Sequence, residues 1–278
     1  MEKKDLELLK IRSIVQVLFI FLGVLLTEML AAVLWNAVCV LLHYIPDDGT
    51  RLMQMSVVSS LLITAWCGYL YYHSPWRIRP FDYRQAFTVR TLVSAVGIAM
   101  GGCILLTFLL SALQSCFPQF FAEYNKTMGQ FEQGERMVTL LHVLLIGPVT
   151  EELIFRGAMF DRLRLACSFW AANVLQAALF GVFHMNLIQG LYAFAWGILL
   201  GIIYQAAGSI LVNILAHMVF NLTNYLMGWL FPPGRAVSTV WYAGTFLAGT
   251  VFFAVGLCYT IRVCKQVCAE QENDDRDA

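Results

Sequence analysis

Charge is what this sequence has least of. Only 13% of its 278 residues are Asp, Glu, Lys or Arg, against 59% that are hydrophobic. Soluble domains carry roughly 25% charged residues, so water is not the main solvent of this chain. A net field is absent as well, because eighteen Lys and Arg balance eighteen Asp and Glu. That removes the electrostatic case for nucleic acid or a strongly anionic soluble partner and leaves the lipid bilayer as the first partner. The eight cysteines (Cys39, Cys67, Cys103, Cys116, Cys167, Cys258, Cys264 and Cys268) form no CxxC or zinc-ribbon spacing and mostly sit inside apolar runs, which argues against a disulfide framework. Also missing are HExxH, GxSxG and a pair of intramembrane aspartates, the marks of zincin, serine and aspartyl peptidases. The first apolar run is too long for a signal peptide and lacks a small-residue cleavage site, so it is expected to remain in the mature protein.

What the chain does have is long apolar stretches of a length that crosses about 30 Å of hydrocarbon as helix. They fall at about 13–42, 55–72, 91–113, 137–160, 169–187, 189–207, 209–230 and 240–263. The expected fold is all-α, a polytopic membrane protein of about eight transmembrane helices. Turn chemistry separates the spans: IPDDGT, HSPWRIRP, AAGS and FPPG. Cations divide unevenly between the two ends. One side holds Lys3, Lys4, Lys10, Arg12, Arg77, Arg79, Arg84, Arg90, Arg162, Arg164, Arg262, Lys265 and Arg276, and the other only Arg51, Lys126, Arg136 and Arg235. Because Lys and Arg are retained in the cytosol, both termini are expected there. The organisation is a cytosolic segment at 1–12, one transmembrane domain over 13–264 and a charged cytosolic tail at 265–278. The stretch 116–135 is too polar to span and reads as an outer loop or interfacial helix. The short loops suggest a bacterial plasma membrane.

Ionisable groups inside the spans need a reason, since each costs about 2.5–3.5 kcal/mol at the bilayer centre even on lenient scales. The densest set is GPVTEELIFRG, in which Glu151, Glu152 and Arg156 follow Pro148. Glu152 and Arg156, four apart, share a helix face and can pair. Glu151 points about 100° away and is left for a neighbouring helix or a cavity, where it suits a general base. Pro148 removes a backbone hydrogen bond and predicts a kink one turn earlier. Phe180 and His184 are four apart in the fifth span, as are His217 and Asn221 in the seventh. A single intramembrane His or Asn is more often interhelical glue. A Glu, two His and an Asn on three spans together supply a base, a water-orienting group and oxyanion donors for amide hydrolysis.

These three motifs resemble those of the CAAX prenyl endopeptidase and bacteriocin-processing family, also called CPBP or Abi, which are glutamate-type intramembrane metalloproteases. The resemblance covers about residues 137–230 and holds at every motif position. It implies an intramembrane endopeptidase acting on a protein or peptide, prenylated in part of the family, or serving bacteriocin self-immunity. It also implies that Glu151 and His184 activate water, that His217 and Asn221 stabilise the oxyanion, and that Glu152, Arg156 and Phe180 support them. If Zn²⁺ is bound, the resemblance makes Glu151, His184 and His217 its ligands.

A proton- or ion-coupled transporter and a catalytically idle immunity or scaffold protein are the competing readings. No internal repeat of the transporter kind is found. Glu28, Gln176, Gln205, Asn213 and Asn224 are read as structural, Gly197 and Gly201 as close-packing positions, and Cys264 and Cys268 as free thiols. His142, nine residues before Glu151, is expected on the opposite face of the helix. Straight spans would place Glu151 near mid-helix and His184 near an outer helix end.

Overall fold

The computed structural model describes residues 3–74, 86–133, 135–232 and 237–277. Arg77, Arg79, Arg84 and Arg235, with most of the HSPWRIRP and FPPG breaks, lie outside the described residues. The elements in the described residues are all helical: α1 (Lys3–Leu41), α2 (Asp48–Tyr72), α3 (Val89–Cys116), α4 (Pro118–Gln133), α5 (Arg136–Ala166), α6 (Phe169–Phe183), α7 (Leu187–Ala207), α8 (Ile210–Leu230) and α9 (Thr239–Asp277).

Among the described residues, seven helices are long and apolar enough to cross a bilayer. Large apolar side chains stand exposed along α1 and α9, among them Phe19, Met29, Val33, Leu247 and Val255. In a fold whose backbone polar groups are all satisfied within helices, such faces suit hydrocarbon. The chain is an integral, multi-pass, all-α membrane protein.

The expected fifth span needs correction. It does not run over 169–187 but stops at Phe183, and the 15 residues of α6 reach only about 22 Å at 1.5 Å each. Ser168 begins the helix by accepting from the Ala171 N–H, and the chain turns out of it at Met185, whose φ is 52°. A left-handed φ is uncommon in a non-glycine residue. The polar 116–135 stretch is mostly the amphipathic helix α4, whose Phe121 is buried and whose Tyr124 meets the Tyr192 ring edge-on at 6.4 Å.

The chain divides into two compact units, the first made of Met1–Ile78 and Ala122–Gly197, the second of Arg79–Phe121 and Ile198–Ala278. In the first, α1 and α2 pack against each other and against α5. In the second, α3 packs on α8 and α9. There Gly97 and Gly101 face the α9 backbone around Phe252 and Phe253, Gly102 faces the Phe253 ring, and a Cβ on Gly101 would overlap the Gly249 carbonyl and the Phe253 N–H. Small residues let backbones touch where no hydrophobic effect drives helices together.

Candidate active site

The backbone of α5 is where the site begins. It is not a uniform α-helix: wide π turns over His142–Ile146 and Leu153–Phe160 flank a regular turn at Gly147–Glu152. In the first, the Gly147 N–H reaches back five residues to the His142 carbonyl. Pro148 explains the widening, since it has no N–H and its ring would collide with the carbonyl four residues earlier. The kink expected at Pro148 is thus realised as a widened turn, and the two glutamates ride on the regular turn that follows.

Glu152 and Arg156 pair as expected, Nη1 to Oε1 at 3.0 Å, with both side chains fully buried. The guanidinium also donates through Nη2 to the Gly197 carbonyl on α7 at 3.0 Å. Gln176 of α6 donates to the same carbonyl at 2.9 Å and to Asn173 Oδ1 at 2.8 Å. Gly197 brings that carbonyl close because it lacks a side chain; a Cβ there would lie 3.0 Å from Ala177 Cβ and 3.2 Å from Phe180 Cδ1. The close-packing reading of Gly197 holds, and three helices of the first unit meet at one oxygen.

Arg156 then leads to the histidine. Its Cζ stands 4.9 Å over the Phe180 ring, a cation–π contact, and Phe155 packs against Phe180 at 5.0 Å. The His184 ring meets Phe180 edge-on at 4.8 Å, and its Nδ1 lies 2.8 Å from the Phe180 carbonyl. A carbonyl only accepts, so Nδ1 carries a proton, and the tautomer this selects has its lone pair at Nε2.

Depth is the point on which straight spans misled. Contacts between Phe155, Arg156 and Phe180 put those positions at one level, and one turn further along each antiparallel helix come Glu151 and His184. The expected mismatch disappears because α6 ends inside the depth that α5 spans.

Glu151 is half-buried and lies within electrostatic reach of Arg156, His142 and Glu28. For His142 this is a correction. A Cβ on Gly147 would sit 3.7 Å from His142 Cε1 and 3.9 Å from Glu151 Oε1, so the imidazole is on the glutamate's side of α5. The 100° step assumed for a regular helix fails across a π turn, which takes more residues per revolution. The ring also bonds to a neighbouring helix, Nε2 to Ser60 Oγ of α2 at 3.1 Å. Thr150 adds a second link to α2 through Thr64 Oγ1 at 2.8 Å. Glu28, read as structural, has Glu151 as its electrostatic neighbour across helices.

His217 and Asn221 belong to the second unit, one turn apart on α8. His217 is buried and Asn221 partly so. Asn213, one turn before His217, donates to the Leu200 carbonyl of α7 at 2.8 Å, which pins that face of α8. Of the expected ligands for Zn²⁺, Glu151 and His184 lie in the first unit and His217 in the second. Among the described residues no three His, Cys, Asp or Glu side chains gather as a metal site. The side chains of the first unit offer acid–base chemistry of their own, a carboxylate that can take a proton and an imidazole lone pair that can accept a hydrogen bond from water.

Residues that sequence reasoning undervalued are Gln176, the Gly197 carbonyl and His142. The GILLG spacing signalled a close approach, but no side-chain motif marks a main-chain acceptor.

Comparison with known proteins places the resemblance on the same stretch. Residues 133–223 match the family model described as type II CAAX prenyl endopeptidase Rce1-like. A putative membrane peptidase, YdiL, of Bacillus subtilis strain 168 is 32% identical over 77 residues, 28% of this chain and 32% of that protein. An uncharacterized 24.3 kDa protein of Escherichia coli is 28% identical over 97 residues, 33% of this chain and 45% of that protein. The aligned part thus covers less than half of each relative's length. No solved structure matches.

Proposed function

We propose that the protein is an intramembrane endopeptidase that hydrolyses a peptide bond of a protein or peptide substrate at bilayer depth. What supports this reading is the contact of Phe155 and Arg156 with Phe180, about one turn from Glu151 and His184 respectively, beside the Glu152–Arg156 ion pair and within the stretch that matches the endopeptidase model. Glu151 takes a proton from water as that water attacks the peptide carbonyl, and later gives it to the leaving amine. The Nε2 lone pair of His184 orients the water.

Glu152 and Arg156 hold the neighbouring turn, so that the carboxylate of Glu151 is presented in one direction. His217 and Asn221 supply donors to the oxyanion, a role taken from the family resemblance. Zn²⁺, if bound, would use Glu151, His184 and His217 and would supply Lewis-acid polarisation there. Processing of CAAX-type or bacteriocin-related substrates, with or without a prenyl group, is the finer form of the proposal. So is the cytosolic placement of both termini, with α6 as a short return leg.

The test is Glu151→Gln in purified protein, assayed by mass spectrometry against a panel of membrane-embedded and prenylated peptides. Loss of a general base should lower the rate about 10²- to 10⁴-fold. Cleavage by the variant within a few-fold of wild type removes Glu151 as the base.

A further inference from the structure

Gln176 stands outside the three motifs, yet it sits where they are joined. Its side chain is fully buried, and its Nε2 donates to two acceptors, Asn173 Oδ1 at 2.8 Å and the Gly197 carbonyl at 2.9 Å. Two acceptors at one end settle the orientation of the amide, because the oxygen could bond to neither. The Gly197 oxygen therefore has both lone pairs engaged, one by Gln176 and one by Arg156. Gln176 and Arg156 come from different helices, so this shared acceptor locks the rotation of α6 to the guanidinium of α5.

The consequence runs along α6. Phe180 is four residues after Gln176 and His184 four residues after that, on one face. Because the three share a face, whatever fixes the rotation of α6 also fixes the direction of the His184 ring. Gln176 Oε1, in contrast, is buried with no hydrogen-bond partner among the described residues. An unpaired buried acceptor opposes folding, so the amide is poorly explained as a stabiliser. Its donor end is the part with a purpose.

We infer that Gln176 is a positioning residue for the proposed hydrolysis: by sharing the Gly197 carbonyl with Arg156 it sets the rotation of α6 and so the direction in which His184 faces Glu151. The inference rests on the endopeptidase reading and deepens it.

The discriminating variant is Gln176→Met, which keeps the length and most of the volume but removes the donor and the unpaired oxygen together. Because both ends of the amide go, the melting temperature in detergent should move by less than about 4 °C. On the panel peptide that wild type cleaves fastest, kcat should fall roughly ten- to a hundredfold, as a displacement of order 1 Å does, with KM changed less than twofold. A second readout needs no turnover. In ¹⁵N-histidine-labelled protein, with the His184 ring signals assigned by their loss in His184→Gln, Gln176→Met should shift them and leave those of His43 and His73 in place.

An unmoved His184 signal, or kcat within twofold of wild type while Glu151→Gln is inactive, overturns the positioning role and leaves the endopeptidase standing. A loss of activity that merely tracks a loss of folded protein also overturns it. Full activity in Glu151→Gln takes down both.

Discussion

At the residue scale, the decisive feature is that the two fully buried charges of α5, Glu152 and Arg156, answer each other. Arg156 meets Glu152 and a main-chain carbonyl in a fully buried setting, where removing one partner of an ion pair costs about 3–5 kcal/mol because the other charge is stranded. Arg156→Ala is therefore expected to unfold at markedly lower denaturant, or to fail to accumulate in membranes. Arg156→Lys should also be impaired, since a single ammonium cannot reproduce the planar fork that reaches Glu152 and Gly197 at once. Wild-type stability in the Lys variant, measured by SDS titration, would contradict the two-armed role. The Glu152–Arg156 pair was legible from spacing, because an acid and a base four apart on a helix share a face; the other motif residues also needed the family resemblance. Gln176 was not, because its importance lies in a carbonyl of another helix.

At the element scale, α5 and α6 depart from regular helices where the chemistry is. Pro148 made a break in α5 readable, but the sequence does not say whether a proline produces a bend or a π turn, and that choice decides which side His142 takes. The end of α6 was misjudged for a related reason. Apolar residues continue past Phe183, so hydropathy sees no boundary, while the chain leaves the helix through a left-handed Met185. Met185→Gly should relieve a strain of about 1 kcal/mol and shift the unfolding midpoint upward. A downward shift would mean that the Met185 side chain is needed there.

Gly181 and Gly190 cross where α6 meets α7, and a Cβ on Gly181 would come within 2.6 Å of the Gly190 carbonyl. Overpacking typically costs about 1–3 kcal/mol, more than the roughly 1 kcal/mol that alanine gains over glycine inside a helix. Gly181→Ala is thus expected to be a net destabilisation in the same titration. Outside the bilayer, Asp47 caps α2 by accepting from the Thr50 N–H at 2.9 Å, and the hydrogen bonds from Thr50 hold its carboxyl below the usual carboxylate range. A lowered value means that the cap is intact at neutral pH and is lost only as pH falls through that value. Amide exchange at Thr50 should stay protected down to about pH 5 and open only below the ordinary range near 4. Protection lost already at pH 6 would rule out the cap.

At the scale of the whole molecule, topology and packing answer to different information. The cation distribution predicts that Cys116, exposed at the end of α3, and Cys268, on the distal part of α9, lie on opposite sides of the membrane. A membrane-impermeant maleimide applied to intact cells should label Cys116 and spare Cys268 until the membrane is opened. Labelling of both would refute the assignment of the termini. Hydropathy and charge alone determined that the chain is a multi-pass helical bundle, gave nearly all the helix positions and drew attention to Glu151, Glu152 and Arg156, while Phe180, His184, His217 and Asn221 joined them through their spacing and the family resemblance. Those properties are local, because the bilayer charges each residue separately for its polarity and each helix satisfies its own backbone. Only the tertiary structure decided that α6 is short enough to bring His184 level with Glu151, that His142 turns toward the same carboxylate, and that one glycine carbonyl gathers donors from two helices. Each of these depends on where one backbone lies against another, and a side-chain pattern carries no record of that.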